Sequence, residues 1–264
     1  MEVLSEAARN MGFALTPAQL RTFQAYYEKL IAWNQQFNLT AVTEYEHAQI
    51  RHFLDSLSCL LGIGESKGER RWWPGVPAPG TRVIDVGSGA GFPGLPLKIL
   101  YPRLDLTLLE ATAKKTEFLK HVVTHLALEK VTVIHGRAEE VGQNKAHRES
   151  YDLVLARAVA DLPVLVEYLL PLCRVGGKCI AQKGSSAHEE LTVAQYAILL
   201  LGGEVHYVVP VELPGLAETR HLVVINKVAR APQKYPRRPG MPGKRPLLDA
   251  TPSYSLPASA SHTL

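Results

Sequence analysis

The 264-residue chain has little cysteine. Its three cysteines, Cys59, Cys173 and Cys179, are odd in number and contain no Cys-x-x-Cys pair. That argues against a disulfide framework and a cysteine zinc site, and it fits a reducing compartment. Long apolar runs are also missing. One of the longest, residues 197–201, falls far short of the roughly 20 residues that span a bilayer. The opening residues place the acids Glu2 and Glu6 where a secretion signal needs positive charge and an extended apolar stretch. We therefore expect a cytoplasmic protein with no membrane contact and no metal. What is present is ordinary: 46% hydrophobic and 20% charged residues, enough for one large α/β domain with appendages.

Excess charge of one sign is small overall, at +4, but unevenly placed. From Lys227 onward there are seven basic residues and one acid, a net +6 against −2 for the rest. Such a segment suits a polyanion, although a solvated tail has the same composition.

The most informative stretch is Arg82-Val-Ile-Asp-Val-Gly-Ser-Gly-Ala-Gly-Phe-Pro-Gly94. It reads as a buried strand, a glycine turn and a helix start. Glycines there admit positive φ and close backbone approach. The helix N-terminus favours an anionic group. Gly89-x-Gly91-x-x-Gly94 fits a dinucleotide fingerprint. Asp85-x-Gly87-x-Gly89-x-Gly91 equally fits the first motif of S-adenosylmethionine (SAM) methyltransferases. The turn alone leaves both ligands open.

Upstream, Thr16-Pro17-Ala18-Gln19 is a capping box with proline at the first helical position. Leu20, Phe23, Tyr27, Leu30, Ile31 and Asn34 follow at helical spacing. Thr43-x-x-Glu46 reads as a second capping box. It opens a helix whose apolar stripe is Ile50, Phe53, Leu54, Leu57 and Leu61, with His52, Asp55 and Ser56 on another face. From the residues alone, that polar face reads as solvated. Residues 62–80, rich in glycine and proline, read as a linker, with Trp72 and Trp73 as a hydrophobic plug.

From Arg82 the pattern alternates. Strands are expected at 83–86, 105–109, 131–135, 153–156 and 178–182, with helices at 94–100, 112–128, 161–172 and 186–201, the last capped by Ser186-x-x-Glu189. Two β-rich runs, 204–211 and 220–227, then follow with no helix between them, so they should be antiparallel. Dinucleotide domains have parallel strands throughout. A closing antiparallel strand fits a SAM methyltransferase sheet, and the balance moves to SAM.

Ligands in open α/β sheets bind at the carboxyl ends of strands. Glu110 ends the second strand, where a carboxylate can accept from two ribose hydroxyls. Arg137-Ala138-Glu139 follows the third, where an N–H and a carboxylate can read an adenine edge. Arg157 ends the fourth and Lys183 the fifth. The fourth strand end faces the methyl acceptor. It has no polar-Pro-Pro-aromatic motif, no cysteine nucleophile and no aspartate, so an acceptor that is already nucleophilic remains. Guanine N7 is one, and it needs no general base.

The chain resembles the RsmG (GidB) family of 16S rRNA guanine-N7 methyltransferases. The resemblance lies in Asn38-Leu-Thr40, Arg51-His-Phe-Leu-Asp-Ser56, the glycine turn, Lys114-Lys-x-x-Phe-Leu119, Arg137-Ala-Glu139, Ala156-Arg-Ala158, Gln182-Lys-Gly184 and the run from Lys234-Tyr-Pro-Arg to Leu247. It implies a class I SAM-dependent, Rossmann-like α/β fold: a seven-stranded sheet, last strand antiparallel, with an N-terminal helical extension. It divides the chain into 1–80 (helices and linker), 81–227 (methyltransferase core) and 228–264 (a basic, then disordered tail). It implies methylation of a guanine in the 530 loop of 16S rRNA in the small ribosomal subunit, by a monomer. The implied SAM contacts, together with the glycine turn, are Asp85, Gly87, Gly89, Gly91, Phe92, Glu110, Ala111, Thr112, Ala138, Glu139 and Arg157. Asn38, His52, Asp55, Ser56 and Arg157 would line the guanine side. Lys183, Arg220, Lys234, Arg237, Arg238, Lys244 and Arg245 would hold phosphates. On this reading, deleting 234–245 spares SAM binding and weakens RNA binding. The rival readings are a SAM methyltransferase for another RNA, a protein or a small molecule, a nicotinamide oxidoreductase, and a non-catalytic RNA-binding module.

Overall fold

The computed structural model describes residues 1–64 and 74–248. Trp72, Trp73 and residues 250–264 lie outside them. The alternating pattern folds into strands β1 (Arg82–Val86), β2 (Asp105–Glu110), β3 (Val131–His135), β4 (Tyr151–Arg157), β5 (Cys173–Lys183), β6 (Gly203–Val211) and β7 (Arg220–Lys227). They form one seven-stranded sheet in the order β3-β2-β1-β4-β5-β7-β6. β1 pairs in parallel with β2 and β4, and β7 runs antiparallel to both β5 and β6. Strand order reverses between β1 and β4, so the crevice beyond their carboxyl ends is the expected ligand site. This is the sheet of the class I SAM-dependent methyltransferases.

Alternation along each strand feeds two cores, because successive side chains point to opposite faces. Val83, Leu106, Leu108, Leu155, Ile180 and Val224 join one cluster. Ile84, Val86, Val154, Ala156, Ala181 and Ile225 join the other. The second is covered by α7 (Leu162–Leu169) and α8 (Ala187–Leu200). The first is covered by the N-terminal helices α1 (Glu2–Asn10) and α2 (Pro17–Asn34), and by α3, a helical run over 45–62. Phe23, Tyr26, Leu30, Phe53 and Leu57 on these helices are fully buried, each contributing about 1.5–3 kcal/mol. α4 (Gly94–Leu100), α5 (Ala113–His125), α6 (Ala138–Gln143) and the short α9 (Met241–Lys244) complete the fold. Among the described residues no helix is long and apolar enough to cross a membrane.

Several local expectations shift. α1 is not among the expected helices, although Leu4, Ala7 and Ala8 share its buried face; it is held by that packing and by Gln49, whose Oε1 accepts from Leu4 N at 3.1 Å. The buried stripe of α2 runs through Tyr26 rather than Tyr27. The cap of α3 is Glu44, not Thr43: its carboxylate accepts from Glu46 N and His47 N. α3 is π-helical over Gln49–Leu54, a wider turn that is frequent at functional sites. Ser186 donates to Glu190 rather than capping with Glu189. Gly62 belongs to the core rather than to a linker, because a Cβ there would meet Ile180 and Val224 at 3.0 and 3.1 Å.

Candidate active site

The glycine turn leaves β1 with three left-handed residues: Gly87 at φ +70°, Gly89 at +58° and Gly91 at +98°. Two of them also sit too close to neighbours for a side chain. A Cβ on Gly87 would lie 2.7 Å from Val159, and one on Gly91 2.4 Å from Leu95 and 2.6 Å from the Tyr26 hydroxyl. Gly89 differs. A Cβ there would project into open space, its nearest atom 3.9 Å away, so bare backbone forms the floor of an open cradle.

Glu110, buried at the end of β2, braces that cradle. Its carboxylate accepts from Gly89 N and from Thr112 N, both at 2.8 Å. Its remaining lone pairs suit a vicinal diol. Ala111 and Thr112 are exposed beside it, and Ala138 is half-buried after β3. Asp85 is wholly buried: Oδ2 accepts from Gly94 N at 2.9 Å, while Oδ1 has no partner. Burial pushes its carboxyl up to about 7, against the pull of the Gly94 N–H and the Arg157 charge. An open glycine cradle, a braced diol acceptor and an orphaned carboxylate oxygen fit the donor SAM.

Glu139 is buried at the start of α6, and its Oε1 accepts from Gly240 N at 2.9 Å. The sequence puts it on the adenine edge. In the structure it contacts the C-terminal segment.

Phe92 links the turn to the N-terminal helices. It stacks on His52 (4.6 Å between centroids, 12° between planes) and on Tyr26 (5.5 Å, 25°). Tyr26 also donates to Ala90 O, tying α2 to the turn. Arg157 lies with its guanidinium carbon 4.9 Å from the Phe92 ring centre, a favourable cation–π placement. Its Nη1 donates to Asp55 Oδ2 at 2.8 Å and to Arg51 O at 3.0 Å.

Beyond this pair opens a cavity of about 390 Å³, lined by Arg51, His52, Asp55, Arg157, Gln182, Lys183, Glu190 and Arg220 among others. His52 is buried rather than on a solvated face. Its Nε2 bonds Thr40 Oγ1 at 2.9 Å and Val42 O at 3.2 Å, while Nδ1 has no partner. Burial first, then the Arg157 charge, lowers it to about 4, so it is neutral at pH 7. Gln182 donates from Nε2 to Asp55 O at 2.6 Å, leaving Oε1 buried and unpaired. Ser56 is fully buried and donates to His52 O, a brace rather than a wall. Asn38 is exposed and is not part of the lining.

The basic residues divide. Lys183 pairs with Glu190 at 2.6 Å and donates to Ala160 O. Arg237 holds buried Glu167 through Nε and Nη2. Both have an acid partner inside the fold where the sequence suggested phosphate. Arg220 lines the cavity, with Glu218 at 3.6 Å. Lys234, Arg238, Lys244 and Arg245 are exposed, with no acid partner among the described residues. The sequence reading does not single out Tyr26, Thr40, Gln182 or Glu190 as site residues. For Gln182 the signal was available, because it follows a strand end inside a quoted motif. Tyr26 had only a helical period one residue out of phase.

The family model described as rRNA small subunit methyltransferase G matches residues 19–223. The Ribosomal RNA small subunit methyltransferase G of Roseiflexus castenholzii is 50% identical over 94% of this chain and 100% of its own. That of Chloroflexus aggregans is 49% identical over 93% of this chain and 97% of its own. Among solved structures, TYW2 of M. jannaschii in complex with AdoMet gives a TM-score of 0.49 at 12% identity, covering 70% of this chain and 77% of that one. That likeness is too distant to add to the strand order. With a matching model over most of its length and relatives at half identity from end to end, the chain belongs to the rRNA small subunit methyltransferase G family.

Proposed function

We propose that this chain transfers a methyl group to N7 of a guanine in the 530 loop of 16S rRNA, with the donor on the glycine turn and the base in the Arg157 cavity. The chain is a SAM-dependent methyltransferase of small-subunit ribosomal RNA. The observation that carries the finer reading is Arg157. It rests on Phe92 of the donor turn and also forms the cavity wall, so the two sites share one side chain.

When bound, SAM supplies an electrophilic methyl on a sulfonium, and transfer moves that positive charge to the acceptor without creating new charge. No group in the cavity is needed as a base. His52 is held neutral at pH 7. Asp55 balances the Arg157 charge at 2.8 Å and fixes its guanidinium. The remaining arginine donors suit a guanine O6. Gln182 Oε1 and His52 Nδ1 are buried acceptors without partners, suited to base N–H groups. Rate then comes from alignment of N7 with the methyl. Exposed Lys234, Arg238, Lys244 and Arg245 supply phosphate contacts. The reading puts the protein in the cytoplasm with the ribosomal particles it modifies.

The test is incubation of unmodified 30S particles or 16S rRNA with isotope-labelled SAM, then nucleoside digestion and mass mapping. Label in 7-methylguanosine from the 530 loop is expected. Label in another nucleoside, or in protein alone, refutes the acceptor.

A further inference from the structure

The C-terminal segment is not a loose basic tail over residues 233–245. Glu167, completely buried on α7, accepts from Arg237 N at 2.8 Å, Nε at 2.9 Å and Nη2 at 2.6 Å. Gln143, at the end of α6, donates to Gln233 O and Pro236 O. Arg148 donates to Tyr235 O, and Tyr235 itself is buried. Gly142 lies against Pro236, where a Cβ would come within 2.8 Å of the ring. Three residues beyond Arg237, Gly240 turns with φ +79° and donates its N–H to Glu139 Oε1 at 2.9 Å. The strap is therefore anchored on α7 and ends on the carboxylate after β3.

We infer that residues 233–240 are a positioning strap for the donor site, with the Arg237–Glu167 pair as its anchor and Glu139 as the group it sets. The inference rests on the proposed function and on the sequence reading that sets Glu139 at the adenine edge of SAM. A buried carboxylate with a free rotamer must be ordered when ligand binds. One held by a backbone N–H is ordered beforehand, and the ligand avoids that cost. Positive φ at Gly240 is what turns its N–H toward the carboxylate. The same strap carries exposed Lys234 and Arg238 on its outer side, so RNA on that side and donor on the inner side act on one element. Removing 234–245 should therefore weaken SAM binding as well as RNA binding, contrary to the expectation drawn from the sequence.

The experiment is SAM calorimetry and methyl-transfer kinetics on the full chain, comparing wild type with Arg237→Ala, Arg237→Lys, Glu139→Gln and the Glu139→Gln/Arg237→Ala double variant. Arg237→Ala should raise Kd and KM for SAM about tenfold, with kcat at saturating SAM within about twofold of wild type. Arg237→Lys should recover part of the loss. The double variant should bind no more weakly than Glu139→Gln alone, since both changes act through one carboxylate. A purely structural anchor would lower thermal stability and kcat without that non-additivity. Wild-type SAM affinity in Arg237→Ala, or multiplying losses in the double variant, overturns the inference. Wild type failing to bind SAM at all would overturn the reading beneath it instead. Should Arg237→Ala not fold, Gln143→Ala releases the same strap from α6. It should raise Kd for SAM about threefold, and no change there counts against the strap.

Discussion

At the donor end, nearly everything comes from short contiguous stretches. Residues 85–94 supply the turn, its open cradle and the aromatic platform, and Glu110 with Thr112 supplies the brace. The acceptor end is gathered from distant segments. Thr40 comes from the loop between α2 and α3, His52 and Asp55 from α3, Arg157 from β4, Gln182 and Lys183 from β5, and Glu190 from α8. The donor end is mostly backbone whose conformation glycine permits. The acceptor end is mostly side chains whose geometry is fixed by one another through hydrogen bonds and a buried ion pair. A site of the first kind tolerates little change at its glycines and much elsewhere. A site of the second kind is a network, where removing one member leaves others buried and unpaired.

The largest expected effect lies at the donor end. Glu110→Ala removes the acceptor for two backbone N–H groups as well as the diol contact, and should weaken SAM binding about a hundredfold by calorimetry. Unchanged affinity would remove Glu110 from the site. Next comes the network. Arg157→Ala leaves Asp55 buried without its cation, and should lower stability by about 3 kcal/mol in denaturant unfolding. Adding Asp55→Asn should restore part of that loss, whereas Asp55→Asn alone should also destabilise. Gly91→Ala should lower stability by about 1–3 kcal/mol from strain and overlap. Gly89→Ala, also at positive φ, should cost about 1 kcal/mol from backbone strain without overlap, yet bind SAM poorly, because its Cβ enters the cradle.

Smaller, but of opposite sign at the two ends, are the pH effects. Folding raises Asp85 to about 7, so its contribution to stability is complete below the ordinary carboxylate range and is lost as pH rises toward 7. Folding lowers His52 to about 4, so its contribution is complete above about 6.5 and is lost as pH falls toward 4. Thermal melts from pH 4 to 8 should show Asp85→Asn removing the upper dependence and His52→Gln the lower one. Smallest is the exposed strap and tail. Lys244→Ala should leave SAM binding intact and reduce the salt slope of RNA binding by about 0.9. An unchanged slope would take Lys244 off the phosphates.

The same contrast explains what could be read in advance. Alternation, the turn residues and the missing helix before β7 are local signals, and they mark the strands and the closing antiparallel pair, whereas the order of strands in the sheet is a matter of long-range pairing. The donor end is legible because its signals are local too. At the acceptor end the strand-end rule points to Arg157 and Lys183, and only the family resemblance brings in His52 and Asp55. No local rule brings Gln182 to Asp55, or tells that His52, on what reads as a polar helix face, stacks on Phe92. The basic tail shows where composition misleads. Arg237 and Lys183 read from sequence as phosphate contacts, but each is paired with an acid, Glu167 and Glu190, 70 and 7 positions away.

The division of labour between the two ends is open to one direct measurement, SAM affinity and methyl-transfer rate compared in Gln182→Met. This change keeps the side-chain volume and removes the amide from the acceptor wall. The account predicts SAM affinity within about twofold of wild type and a transfer rate to 16S rRNA lower by about tenfold or more. SAM affinity and rate falling together, or a rate left unchanged, would contradict the separation of donor and acceptor ends.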